Sequence, residues 1–217
     1  DLYRFNKDVQ SILQCEFITI QDGRDVWEVF RDVKFIGNSR IDPCSKLLKR
    51  DLLKRWVHSN YLPEECNIWV GIDCSEEHRL NPVVQNNLPY VYRSWFIENN
   101  IILFSYTKEL WCKENNIEMP RLYKMGFSHN NCGGFCVKGG LGHFKNLWEK
   151  LPDRYKYHED KELELISLNP KLRPFLKKMV KGVKYYLTLK EYRENYLEPK
   201  LVTEEESMEF GGCGCAL

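Results

Sequence analysis

The sequence predicts an α/β fold, with a parallel sheet in its front half and a helical, cysteine-bearing back half. Two observations carry this. Short β-rich runs, Phe17-Ile18-Thr19-Ile20 and Asn67-Ile68-Trp69-Val70-Gly71-Ile72, alternate with stretches of helical period through the first part of the chain. From residue 129 the periodicity is mostly helical, and Cys132, Cys136, Cys213 and Cys215 all fall in that part. The chain therefore divides into an α/β core over 1–128 and a helical portion with a cysteine cluster over 129–217.

In chain order, Leu2, Phe5, Val9 and Leu13 are spaced by three or four residues and define an amphipathic helix over 1–14. Phe17–Ile20 reads as a strand closed by the turn pair Asp22-Gly23. Asp25 to Phe30 begins a short helix. Gly37-Asn38-Ser39 breaks the chain, Asp42-Pro43 opens the next helix, and Lys46 to His58 keeps helical period. Asn67–Ile72 is a buried strand that ends at a glycine, and Leu88-Pro89-Tyr90 is a short extended piece. Two helices follow, the second N-capped by Thr107 and running to about Asn115, and a third spans about 141–150. Beyond Asp153 helices are expected near 158–165 and 188–196, separated by a basic, loop-like stretch from Lys171 to Lys184.

Hydrophobic residues at 43% and charged residues at 29% describe a globular chain and exclude collagen-like, low-complexity and wholly disordered classes. With 32 Lys+Arg against 31 Asp+Glu the net charge is +1, which argues against a general polyanion-binding coat and leaves room for a local basic pocket. No apolar run approaches the roughly 18–20 residues of a membrane span, so no membrane partner is expected. The chain opens at Asp1 without an initiator Met and without the basic and apolar regions of a signal peptide. The expectation is a cytoplasmic location and a processed chain or the downstream piece of a longer one.

Nine cysteines in a chain with no visible export signal favour metal or redox chemistry over a disulfide framework. The strongest pattern is Asn130-Asn131-Cys132-Gly133-Gly134-Phe135-Cys136 together with Cys213-Gly214-Cys215. Four thiolates suit tetrahedral zinc or an iron–sulfur cluster, and adjacent glycines let the backbone wrap closely around such a centre. Neither spacing is the common Cys-x-x-Cys knuckle, so redox thiols and inert buried thiols stay open, and zinc is not separated from iron–sulfur. A prenylation box is excluded, because the fourth residue from the end is Gly214. His129 reads as a hydrogen-bonding loop residue, and His143 and His158 have no recognisable partner pattern.

Two further stretches carry charge in suggestive places. In Gly37–Arg50, Ser45, Lys46 and Lys49 fall in the first turns of a predicted helix, where backbone amides and the helix dipole suit phosphate or sulfate. Arg40 stands just ahead as a bidentate clamp, and the alternative is a solvated basic face. In Val70–Arg79 a strand ends at Gly71 and leads into Asp73, Glu77 and Arg79, the position where open α/β sheets place ligand groups; a cap and a surface ion pair would give the same local sequence.

Taken in order, Asp22-Gly23-Arg24, Phe35–Arg40, Asp42–Ser45 with Leu48-Lys49, Gly71–Asp73 with Glu77–Arg79, Pro120 with Leu122-Tyr123 and Gly126-Phe127, and Asn131–Lys138 resemble the phosphoadenosine phosphosulfate reductase-like branch of the adenine nucleotide alpha hydrolase superfamily. The likeness covers about 1–160 and the tail. It implies a partial doubly wound parallel sheet over 1–128 that binds ATP or another adenine nucleotide, with Gly71, Asp73 and Glu77 toward the nucleotide. Arg40, Ser45, Lys46, Lys49 and Arg79 would face phosphate or sulfate on an adenylylated or sulfur-bearing substrate. Cys213 and Cys215 become candidate nucleophiles, and a thioredoxin-like partner the reductant. The family's Ser-Gly-Gly-x-x-Ser phosphate loop is absent from this sequence, so roughly 30–60 residues at ordinary βαβ length are expected to precede it or to come from another chain.

Two functions follow as expectations. The first is a nucleotide-dependent sulfur-metabolism enzyme, an oxidoreductase or sulfurtransferase. Its zinc or iron–sulfur centre is held by Cys132, Cys136, Cys213 and Cys215, with Cys44 and Cys112 as substitutes. The second is a non-catalytic, zinc-stabilised module that binds nucleic acid or protein through Lys171, Lys177, Lys178, Lys181, Lys184, Tyr185 and Tyr186; the near-neutral net charge disfavours the nucleic-acid form.

Overall fold

The computed structural model of the chain describes residues 1–198; Cys213, Cys215 and the Glu204-Glu205-Glu206 cluster lie outside the described residues. The structure is mixed α/β and rich in helix. Helix α1 (Leu2–Leu13) forms where the apolar spacing places it and ends at Gln14, which adopts a left-handed backbone with φ 49°. The predicted strand at Phe17–Ile20 does not form. Phe17 and Ile18 are exposed, and among the described residues no strand pairs with this run to satisfy its backbone.

Helix α2 (Val26–Val33) opens with a reciprocal capping box. The Asp25 carboxylate accepts from the Trp27 and Glu28 amides at 2.8 Å, and Glu28 accepts from the Asp25 amide at 2.8 Å. The helix expected after Asp42-Pro43 is present but irregular. A three-residue α3 (Pro43–Ser45) widens into a π-turn over Lys46–Arg50 before α4 (Asp51–Asn60).

Strand β1 (Asn67–Trp69) is shorter than its apolar run, and only Val70 and Ile72 beyond it are buried. A 3₁₀ segment (Cys74–Arg79) and α5 (Leu80–Asn86) precede β2 (Val91–Arg93), which pairs in parallel with β1 in the register Asn67↔Val91 and Trp69↔Arg93. This pair is the parallel sheet expected in the front half, limited to two strands. Next come α6 (Trp95–Glu98) and α7 (Ser105–Glu114); α7 begins ahead of Thr107, which is therefore not its cap.

Short α8 (Arg121–Lys124), a 3₁₀ turn at Asn131–Gly134, α9 (Leu141–Lys150) and α10 (Pro152–Leu168) follow. The stretch read as a basic loop is instead an antiparallel hairpin, β3 (Leu176–Val180) and β4 (Val183–Leu187). Its two-residue turn uses Lys181 at φ 49° and Gly182 at φ 78°, the paired left-handed geometry that matches strand twist. Helix α11 (Leu189–Tyr192) and a π-turn over Arg193–Leu197 end the described chain. No helix among the described residues is long and apolar enough to cross a membrane.

The chain forms two compact units that interleave in sequence. Among the described residues, one unit is 1–21 with 49–119, and the other is 22–48 with 120–198. The first holds the parallel pair, with Val57, Val70, Ile72, Tyr90, Cys112 and Ile117 as its buried apolar residues. The second holds a larger core in which Phe30 from α2, Phe144 and Leu147 from α9, Tyr155 from α10 and Leu189 from α11 are wholly buried.

Packing of this density makes core truncation costly. Phe144→Ala should lower unfolding free energy by about 3–5 kcal/mol, whereas Asp25→Ala, which removes the α2 cap and the 3.4 Å bond from the Tyr157 hydroxyl, should cost about 1 kcal/mol. Denaturant titration followed by tryptophan fluorescence checks the ranking, and equal costs would contradict it.

Candidate functional site

The turn that carries Cys132 and Cys136 is built by an unusual backbone. Cys132, Gly133 and Gly134 take successive positive φ values of 54°, 60° and 92°. Glycine adopts this region without penalty, and the cysteine is carried into it by the turn. Two long side chains clamp the result. Arg154 of α10 donates to the Cys132 carbonyl at 3.3 Å, and its guanidinium lies 2.3 Å from where a Gly133 Cβ would sit. His143 of α9 meets the Gly134 carbonyl at 2.8 Å through Nε2, and a carbonyl can only accept, so Nε2 carries the proton. Just beyond, Phe135 and Val137 are buried at 2% and 3% exposure and fasten the loop to the core. Cys132 is left exposed and Cys136 is buried.

Phe135 completes an aromatic stack. Its ring lies 3.8 Å from that of His158, and Trp27 Nε1 donates to His158 Nδ1 at 2.9 Å. Burial, helped by the Arg154 charge, lowers the His158 pKa to about 3. His143 falls to about 4, again by burial, with the Gly134 carbonyl pulling the other way and His129 adding to the drop. Both rings are therefore neutral packing groups at ordinary pH. No local pattern announces this, because both lie among helical positions whose neighbours carry the apolar pattern.

The basic loop Gly37–Lys46 lies against the thiol turn, within the same unit. A Cβ on Gly37 would sit 3.0 Å from Val137 and 3.2 Å from both Phe30 and Pro43, so glycine permits the approach. The ammonium of Lys138 is 3.6 Å from the buried Asp42 carboxylate. Asn38 Oδ1 accepts from the Arg40 and Ile41 amides at 2.9 and 3.1 Å, which fixes the bend before Asp42. Arg40 and Lys46 are exposed, Ser45 is buried at 5%, and the Lys46 amide donates to the Asp42 carbonyl at 3.1 Å.

Lys49, Gly71, Asp73, Glu77 and Arg79 belong to the other unit. There Gly71 and Glu77 are exposed, and Arg79 is ion-paired with Glu76. Asp73 has a definite structural role. Its Oδ1 accepts from the Ser75 amide at 2.8 Å, capping the 3₁₀ segment, and its Oδ2 accepts from the Leu103 amide at 3.0 Å. The Ser75 hydroxyl and these amides hold the carboxyl below its ordinary range against the opposing effect of burial.

Among the described residues no three His, Cys, Asp or Glu side chains form a metal-ligand group. Cys132 and Cys136 offer two thiol donors on one tight turn, the right chemistry for zinc or an iron–sulfur group. Cys213 and Cys215, expected as the other donors and as nucleophiles, lie outside the described residues. No known protein family, curated protein or solved structure matches the chain.

A buried polar stripe on α10, absent from the sequence reading, supports this region. Glu159 is fully buried, and its carboxylate accepts from Arg193 Nε at 2.8 Å and from Lys156 at 2.9 Å. Burial opposes ionisation there, and the two cations override it and keep the pKa low. Glu162 accepts from the Leu189 amide at 2.6 Å but has no cation, and burial raises its pKa to about 8.

Linkage sets the sign of the pH response. An acid whose folded pKa is raised binds extra protons in the folded state between its unfolded value near 4.5 and about 8, so its stabilising contribution shrinks as pH climbs through that window. The two histidines, depressed to about 4 and about 3, act oppositely and cost stability as pH falls below 6.5. Thermal unfolding should thus give maximal stability near pH 6.5, declining toward pH 8. Glu162→Gln, which keeps the acceptor for Leu189, should flatten that decline. A decline of unchanged slope in the variant would show that Glu162 does not set it.

Proposed function

We propose that this chain is part of a nucleotide-dependent sulfur-metabolism enzyme of the phosphoadenosine phosphosulfate reductase-like kind, with a partial doubly wound nucleotide-binding sheet. It acts on an adenylylated or sulfate-bearing substrate. One observation carries the reading: the thiol turn Cys132–Cys136 packs against the basic loop Gly37–Lys46, through Gly37 on Val137 and Lys138 beside Asp42. A soft-ligand centre beside exposed cations suits chemistry on an anionic sulfur compound.

Arg40 and Lys46 neutralise the sulfate or phosphate of the substrate, an electrostatic contribution that grows as charge develops on the leaving oxygen. Ser45 supports the loop from its buried position. The nucleotide is taken beyond the carboxyl end of β1. There the exposed Gly71 backbone and the Glu77 carboxylate are available, while Asp73 holds the chain bend that presents them.

Cys132, Cys136, Cys213 and Cys215 would hold zinc or an iron–sulfur cluster, which would keep these cysteines as thiolates. In the reductive reaction a tail thiolate, from Cys215 or Cys213, forms a bond to the sulfonate sulfur as the sulfur–oxygen bond to the nucleotide breaks. A dithiol protein of thioredoxin type then attacks the cysteine sulfur, releases sulfite and leaves as a disulfide.

Anaerobic purification followed by elemental analysis tests the centre. Wild-type protein should retain zinc or iron in stoichiometric amount, and Cys136→Ser should lose about 90% of it or more. Arg40→Ala should keep the metal and weaken sulfonucleotide binding about tenfold, as loss of a charge-assisted contact predicts. Wild-type protein with neither metal would refute the centre, and unchanged nucleotide affinity in the Arg40 variant would remove that residue from the anion site.

A further inference from the structure

From Leu165 to Leu189 the sequence contains no acidic residue and six basic ones, Lys171, Arg173, Lys177, Lys178, Lys181 and Lys184, in a chain whose net charge is only +1. The β3–β4 hairpin gives this run two distinct faces. In an antiparallel pair, residues directly opposite share a face, and faces alternate along each strand. The register pairs Leu176 with Leu187, Lys178 with Tyr185 and Val180 with Val183 on one side. This side joins the core at its base, where Leu176 is 2% exposed and the Lys178 ammonium lies 4.0 Å from the Tyr196 ring centre.

The other side carries Lys177 opposite Tyr186 and Met179 opposite Lys184. All four are exposed, Met179 at 51% and Tyr186 at 39%. Arg173 stacks on the Tyr186 ring at 4.7 Å, which holds the ring in place and adds a cation beside it. Lys177 bonds the Ser39 hydroxyl at 3.1 Å, so the face runs on to the exposed Arg40. Among the described residues none of Arg173, Lys177 or Lys184 is ion-paired with a carboxylate.

We propose that this outer hairpin face binds single-stranded nucleic acid. Lys177, Lys184, Arg173 and Arg40 take successive backbone phosphates, and a base stacks on Tyr186 with Met179 beneath its neighbour. The combination selects the partner. A row of cations alone would serve any polyanion, but an aromatic ring and a thioether exposed between cations suit unpaired bases, whose flat faces a duplex hides. The face shares Arg40 with the anion site proposed above, but it involves none of the thiols and goes beyond the activity proposed there.

Fluorescence anisotropy with a labelled, mixed-sequence single-stranded oligonucleotide tests it on the full chain. Binding should appear at about 50 mM salt and weaken steeply by about 200 mM, with a log–log slope near −3 for four phosphate contacts. The K177Q/K184Q double variant should lose about tenfold in affinity and reduce the slope by about 1.4. Tyr186→Ala should lose about fivefold or more through stacking, at unchanged slope. All of these side chains are exposed, so the variants should unfold at the wild-type midpoint. No binding at the lower salt, affinity unchanged in both variants, or tighter binding to phosphatidylserine vesicles than to the oligonucleotide would each overturn the assignment.

Discussion

Burial of Phe135 is the contact on which the rest of the thiol-bearing unit depends. Its ring lies flat on His158, edge-on to Phe144 and Phe175, and 5.4 Å from Trp27. One side chain thereby joins α2, α9, α10 and the segment before β3. Full burial of such a ring contributes about 1.5–3 kcal/mol, enough to offset much of the entropy lost in ordering a strained turn. The left-handed run at 132–134 is stable because the residues that follow it are anchored and because Arg154 and His143 hold its carbonyls. The two cysteines thus differ in exposure, Cys132 exposed and Cys136 buried, with the buried Phe135 between them in sequence.

A second constraint is electrostatic. Helix α10 turns Tyr155, His158, Glu159, Glu162 and Leu165 inward at helical spacing, so ionisable groups fill positions an apolar stripe would occupy. Buried charge is tolerated only with partners. Glu159 has two, Arg193 and Lys156. Glu162 instead keeps its proton and receives the first amide of α11, while the Tyr155 hydroxyl donates to the Leu189 carbonyl at 2.7 Å and Tyr192 to the Leu141 carbonyl at 3.1 Å. These bonds fasten α11 to α10 and α9.

Much of the helical layout was legible from the sequence. Apolar spacing located α1 and α9 closely, and Asp25 marked the start of α2, where it forms a capping box. The run Phe17–Ile20 misled because strand propensity is realised only where a partner ladder exists. The hairpin at 176–187 was hidden for the opposite reason. Its strands are mostly exposed and lysine-rich, and its turn is Lys181-Gly182 rather than the usual Asn-Gly or Asp-Gly pair. The π-turn at Lys46–Arg50 and the inward polar stripe of α10 were equally out of reach, because both are set by packing partners far away in the chain. Of the candidate site, the sequence singled out the thiol turn and the basic loop separately. That they touch follows from the absence of a side chain at Gly37, which no local pattern announces.

In the enzyme proposed above, Cys132 and Cys136 share one inorganic centre with Cys213 and Cys215. Differential alkylation read by mass spectrometry addresses it directly, because Cys132 is exposed. On native, anaerobically prepared protein, Cys15 should label at once, while Cys132, Cys136, Cys213 and Cys215 stay protected and become reactive together on adding a chelator. Labelling of Cys132 as fast as Cys15 before any chelator is present would contradict the account.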